Sequence, residues 1–266
     1  MLSDVMTRWI VVGFLLLGFD ATIGAQDAPR RTVHVLVALA DNQNQGIVPV
    51  PPKLGNGLDA ANNLYWGAAM GVKTFFARSS DWSLVKCGEK PKAEILERCV
   101  FAYRKAEVYL VADAYRGDAI RQTILDFFDA AAGGHAEEIT VQDGSHQVKL
   151  MTRGGANLVA YVGHDGLMDF QLTDVPRKKN GDHRDAIILA CASKQYFGGA
   201  LKVTGAFLLL WTTNLMAPEA YTLKGALDGW IAGESKEQVQ ERAAVVYDKY
   251  QKCGLRGARK LFATGW

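Results

Sequence analysis

Two residues of this sequence have the chemistry of a nucleophile and its base, and each follows a short apolar run. His164 comes after residues 156–162 (Ala-Asn-Leu-Val-Ala-Tyr-Val), and Cys191 after residues 186–190 (Ala-Ile-Ile-Leu-Ala). A thiol within reach of an imidazole is the smallest apparatus for nucleophilic catalysis, because the base raises the thiolate fraction. Both runs are too short for helices and rich in β-prone residues, so each reads as a buried strand. In a parallel sheet the carboxyl ends of the strands share one edge, where ligands bind. Neighbouring strands would bring His164 and Cys191 face to face across that edge. The plainer reading makes His164 a turn residue and Cys191 a small core residue.

The elements that must position them follow from the rest of the pattern. Further apolar runs predict strands at 33–40, 106–112 and 205–211. Helical spacing predicts helices at 59–77, 118–132, 218–232 and 235–252, with the stretch 80–105 short and mixed. A small hairpin is expected around Asp143-Gly144, and a short basic tail after Gly254. Alternating strands and helices imply right-handed crossovers: an α/β fold with a mainly parallel sheet flanked by helices on both faces. One domain over residues 32–266 fits the length. The strands end in polar residues, among them Asp41, Asp113, His164, Cys191, Ser193 and Asn214.

A strand ending in Gly163-His164-Asp165-Gly166, then one ending in Ala190-Cys191-Ala192-Ser193, resembles the caspase-like cysteine peptidases. That clan includes caspases, metacaspases, legumains, gingipains and separases. Asp165 stands where the family has glycine directly after histidine, and the connection from His164 to Cys191 is short for the clan. The resemblance implies a three-layer sandwich, a His164/Cys191 dyad that hydrolyses peptide bonds, and a peptide or protein substrate without a cofactor or metal. It also implies an oxyanion hole formed by the backbone N–H groups of Gly163 and Cys191. Asp41, Asp113, Arg116, Ser193 and Asn214 are the candidates for the substrate pocket. An acidic pocket would select basic side chains and Arg116 the opposite, which leaves the choice open. Asp165 is read as a surface turn residue in preference to a partner for His164.

Composition narrows the class further. A net charge of +2, with no basic stripe, gives nucleic-acid binding no support. Arg8, the apolar run 9–19 and the small residues 21–25 fall in signal-peptide order. Cleavage is expected after Ala25, with an uncleaved anchor as the alternative. Export would make the protein secreted or periplasmic, with no membrane association once the leader is removed. In such a compartment Cys87 and Cys99 are expected to bridge locally, leaving Cys191 and Cys253. A Cys191–Cys253 bridge is the alternative that would remove the nucleophile. Two other functions stay open. One is a non-catalytic caspase-like domain binding a peptide or small ligand at the strand ends. The other is a metal-assisted hydrolase using Asp41, Asp113, Asp165 and His164. No Asp-x-Asp or His-x-His spacing supports the metal, and His135 and His146 have no ligand spacing either.

Overall fold

Without polar alternation, residues 32–38 can form a strand only where side chains on either side of the backbone are buried. They do so in β1 (Arg31–Ala38), which is buried from its second residue onward. The computed structural model describes residues 30–266, so the expected signal segment, 1–25, lies outside the described residues. After β1 a long loop leads to α1 (Val72–Ala77), β2 (Trp82–Glu89) and β3 (Ile95–Tyr103). Next come β4 (Val108–Tyr115), α2 (Ile120–Ala131) and a separate hairpin, β5 (Glu137–Asp143) and β6 (His146–Thr152). The chain then forms β7 (Leu158–Val162), β8 (Asp185–Leu189), α3 (Ser193–Thr204) and β9 (Phe207–Thr212). It closes with α4 (Ala220–Ile231), α5 (Lys236–Gln251), α6 (Leu255–Leu261) and β10 (Phe262–Ala263).

Eight strands form one mixed sheet in the order β10-β9-β8-β7-β1-β4-β3-β2. The pairs β4/β1, β1/β7, β7/β8 and β8/β9 are parallel. The outer pairs β10/β9, β4/β3 and β3/β2 are antiparallel. Taken in chain order, the parallel strands lie 2-1-3-4-5, so the strand order reverses direction between β1 and β7. That reversal opens a crevice beyond the carboxyl ends of the strands. Successive β1 side chains enter different cores. Val33, Val35 and Val37 pack with Trp66, Phe76, Leu223 and Val239; Leu36 and Ala38 pack with Phe127, Phe128, Phe197 and Leu201.

The expected strands at 33–40, 106–112, 157–162, 186–190 and 205–211 appear as β1, β4, β7, β8 and β9. The hairpin turns at Asp143-Gly144 as expected. Other regions differ. The helix expected over 59–77 is confined to α1, and 59–71 is a chain of turns. Asn63 accounts for much of this: it accepts from the Ala40 N–H at 3.0 Å and donates to Ala40 O at 2.8 Å. Side-chain bonds of this kind compete with a helix for the backbone. Residues 193–204 form α3, a helix not among those expected, and the basic tail contains α6 and β10. The mixed stretch 80–105 holds two strands, β2 and β3.

Cys87 and Cys99 sit opposite each other on β2 and β3 and form a disulfide, with Cα atoms 4.1 Å apart. Cys191 and Cys253 are both free thiols, so the alternative bridge is absent. Reducing the Cys87–Cys99 bond is expected to destabilise the fold by about 3 kcal/mol, from the unfolded-chain freedom a loop of this length regains. Urea melts with and without dithiothreitol, on wild type and on Cys87→Ala/Cys99→Ala, measure it. Coincident melts in both redox states would show that the bridge contributes nothing.

Candidate active site

Hydrogen bonding between the parallel strands β7 and β8 sets their ends side by side, with Val162 paired to Leu189. His164 follows one end and Cys191 the other, and both line the same cleft of about 220 Å³. Both residues thus stand at the same sheet edge and line one cleft, while each makes its hydrogen bonds elsewhere, His164 to Asp169 and Cys191 to Met216. The rest of the cleft comes from loops that also leave carboxyl ends of strands, after β1, β7 and β9.

His164 is held from two directions. Tyr161 donates its hydroxyl to the His164 carbonyl at 2.7 Å, and His164 Nε2 donates to Asp169 Oδ2 at 2.7 Å. Asp169 Oδ2 also accepts the Gly46 N–H at 2.9 Å, tying the loop after β1 to the histidine. With Nε2 committed to a carboxylate, Nδ1 is the nitrogen left to accept a proton. The sequence reading missed Asp169. The available signal was Gly166, which opens a 3-10 turn at Gly166–Met168 and folds the chain back so that a carboxylate five positions on reaches the ring.

Asp165 is not the surface turn residue it resembled in the sequence. It is fully buried, its Oδ1 accepts the Leu167 N–H at 3.0 Å, and its Oδ2 has no partner. Burial pushes its carboxyl up to about 7, against the opposing Leu167 hydrogen bond and with help from Asp169. A folded-state pKa above the unfolded value of 3.8 means that folded protein holds the proton more tightly. Stability is then full below pH 3.8 and falls as pH rises to about 7. Asp165→Asn keeps the Oδ1 acceptor and removes the charge. It is expected to stabilise the protein by about 2–4 kcal/mol at pH 8 and hardly at all near pH 4. Melting temperatures across pH for both proteins test this; a variant less stable than wild type at pH 8 would refute it.

Cys191 sits at a strand-to-helix turn. Ala192, which follows it, has φ 46° and ψ 31°, a left-handed conformation that a non-glycine residue adopts at a cost of about 1–3 kcal/mol. The thiol is half-buried and hydrogen-bonded to the Met216 backbone, accepting from N at 3.4 Å and donating to O at 3.5 Å. Burial pushes the thiol up; the Met216 hydrogen bond opposes this and Asp165 adds to it. The resting form is therefore the thiol, and ionisation needs a base.

The other candidates are dispersed. Gly163 donates its N–H to Leu189 O at 3.2 Å, which removes it from the expected oxyanion pair. Its φ of 152°, and the 2.8 Å at which a Cβ would meet Ala38 O, explain why glycine stands there. The Cys191 N–H makes no hydrogen bond among the described residues. Asp41 turns inward and closes its own loop, accepting from Gln43 N at 2.9 Å and Asn44 Nδ2 at 2.8 Å. Asp113 lies inside β4, beside Leu36 of β1, and is fully engaged by Arg98 and His34. Arg116 is exposed and paired with Asp118 at 3.0 Å. Ser193 is buried, donates to Ile188 O at 3.2 Å and accepts the Thr212 N–H at 3.0 Å, which pins α3 to the sheet. Asn214 is exposed and accepts the Leu215 N–H at 2.7 Å, outside the cleft. None of these five lines the cleft of His164 and Cys191.

The metal reading loses its ligand set for the same reason, since Asp41 and Asp113 are bound up elsewhere. Among the described residues the one cluster with metal-ligand proximity is Cys87, Glu97 and Cys99, whose two sulfurs are joined in the disulfide. No family model, curated protein or solved structure matches the chain.

Proposed function

We propose that the chain is an exported cysteine endopeptidase of caspase-like type, with Cys191 as nucleophile and His164 as base. The observation that carries this is their placement at the ends of adjoining parallel strands, lining one cleft. The finer architecture belongs to the same proposal: a three-layer sandwich with helices on both faces, supported by the division of β1 side chains between two cores. Export is supported by the Cys87–Cys99 disulfide, which suits an oxidising compartment. Among the described residues, no helix is long and apolar enough to cross a membrane.

In the reaction, the Cys191 S–H exchanges its bond with Met216 O for one with His164 Nδ1 and gives up its proton there. The thiolate attacks the scissile carbonyl carbon, and the developing oxyanion takes the unused Cys191 N–H. As the C–N bond breaks, His164 returns the proton to the leaving amine, leaving a thioester on Cys191. His164 then draws a proton from water, whose oxygen displaces the thiolate. Asp169 holds the ring and stabilises the transient imidazolium, as a carboxylate bonded to the far nitrogen does.

One observation favours the non-catalytic alternative, a domain that binds a peptide or small ligand in this cleft. The resting thiol is bonded to Met216 and burial holds it protonated. A peptide-library digest with wild type and Cys191→Ala separates the readings, because only the peptidase makes cuts that the variant loses.

A further inference from the structure

The walls around the dyad carry almost no charge. Ile47 and Val48 come from the loop after β1, Met168 from the turn after His164, and Leu215 and Met216 from the loop after β9. Tyr65 is the one other titratable lining group, and it is buried. Three of these walls are also conspicuously exposed: Val48 by 84%, Leu215 by 67% and Met168 by 43%. Single exposed hydrophobic residues are ordinary on any protein surface. Three from separate loops, converging on one cleft that holds a thiol and an imidazole, mark a site for an apolar ligand. At about 220 Å³ the cleft has room for one side chain and little more.

No carboxylate or cation lines the cleft to meet a charged side chain there. Asp169 is held by His164 and Gly46, and Glu219 by Tyr221 at 2.8 Å and Gln251 at 3.3 Å. Asp165 is buried below the cleft and does not line it. Asp41, Asp113 and Arg116 are all engaged elsewhere. A charged side chain entering would lose its water without gaining a partner, whereas an apolar one would cover the exposed walls.

We infer that the cleft accepts an uncharged apolar side chain of leucine or methionine size, so that the enzyme cuts after such a residue and not after acidic or basic ones. The inference rests on the peptidase reading above, and its test separates the two.

Three tripeptidyl chloromethyl ketones differing only at the last residue (Leu, Arg or Asp) are reacted with the full chain near neutral pH. Alkylation is read by peptide mass at Cys191, with the exposed Cys253 as internal reference. Each reaction forms one C–S bond at the ketone methylene and releases chloride. The expected result is Cys191 labelling faster than Cys253, with the Leu probe ahead of Arg and Asp by about tenfold or more. Faster labelling by Arg or Asp, or equal rates for all three, overturns the specificity while leaving the dyad standing. Labelling of Cys191 no faster than Cys253 by every probe overturns the dyad and the specificity with it. Val48→Glu, at the most exposed wall, should leave folding intact and turn the preference toward the Arg probe; an unchanged Leu preference there counts against the inference.

Discussion

Cys191→Ala and His164→Ala are each expected to lower peptide-bond cleavage by at least about a thousandfold, with the double variant no slower than either single one. Nucleophile and base work as a unit: without the imidazole the thiol stays protonated, since burial already pushes it up. Without the sulfur the imidazole has nothing to activate. Cys191→Ser fails as well, because an alcohol needs a stronger base than a thiol does. Asp169→Ala slows the reaction without ending it, since that carboxylate orients the ring from outside the reacting atoms. Folding should survive the Cys191 changes, because a half-buried strand-end residue fills little of the core compared with Leu189. The measurement is a peptide-library digest by each protein, with circular dichroism to establish that each is folded. Continued cutting by Cys191→Ala would end the peptidase reading. A wild type that cuts nothing would pass the cleft to the binding-module reading.

What could be read from the residues, and what could not, follows from how each element is stabilised. β1, β7 and β8 are buried throughout or nearly so, and burial on that scale leaves an unbroken apolar run in the sequence. The same logic singled out His164 and Cys191, because a polar residue at the end of such a run stands at the sheet edge. Asp169 and Met216 escaped because their contacts depend on how two loops fold back, which no periodic pattern encodes. Asp113 misled in the opposite direction. A carboxylate after an apolar run reads as the strand's end, yet β4 continues to Tyr115 and buries the charge inside. The 59–71 stretch misled because its helical spacing of apolar residues is real, while Asn63 and closely packed Gly67 hold the backbone in turns. A Cβ at Gly67 would lie 2.1 Å from Ala61 O.

The buried Asp113 carboxylate is a point of vulnerability in the fold. Arg98 grips Asp113 with two hydrogen bonds, at 2.6 and 2.8 Å, and both side chains are buried. His34 accepts the Arg153 N–H on Nδ1 at 3.0 Å, so its Nε2 carries the proton given to Asp113 at 3.0 Å. Burial alone would raise the Asp113 carboxyl, but the Arg98 and His34 hydrogen bonds outweigh it and hold it at about 2. A folded-state value below the unfolded 3.8 contributes stability above pH 3.8 that is lost as pH falls toward 2. Asp113→Asn keeps an acceptor for His34 but leaves the Arg98 guanidinium buried without its charge partner; Glu137, at 3.7 Å and half-exposed, compensates only in part. The expected loss is about 3–5 kcal/mol, or roughly 10 °C in melting temperature for a chain of this size. Arg98→Met alone strands the carboxylate and should be comparably damaging. Combining the two removes both charges, and the double variant should recover most of either loss, because a buried ion pair is worth little against apolar packing once neither charge remains. Urea unfolding of all four proteins at pH 7 gives the coupling directly. Single losses below about 1 kcal/mol, or a double variant less stable than both singles, would mean that the Arg98–Asp113 pair is not the constraint its burial implies.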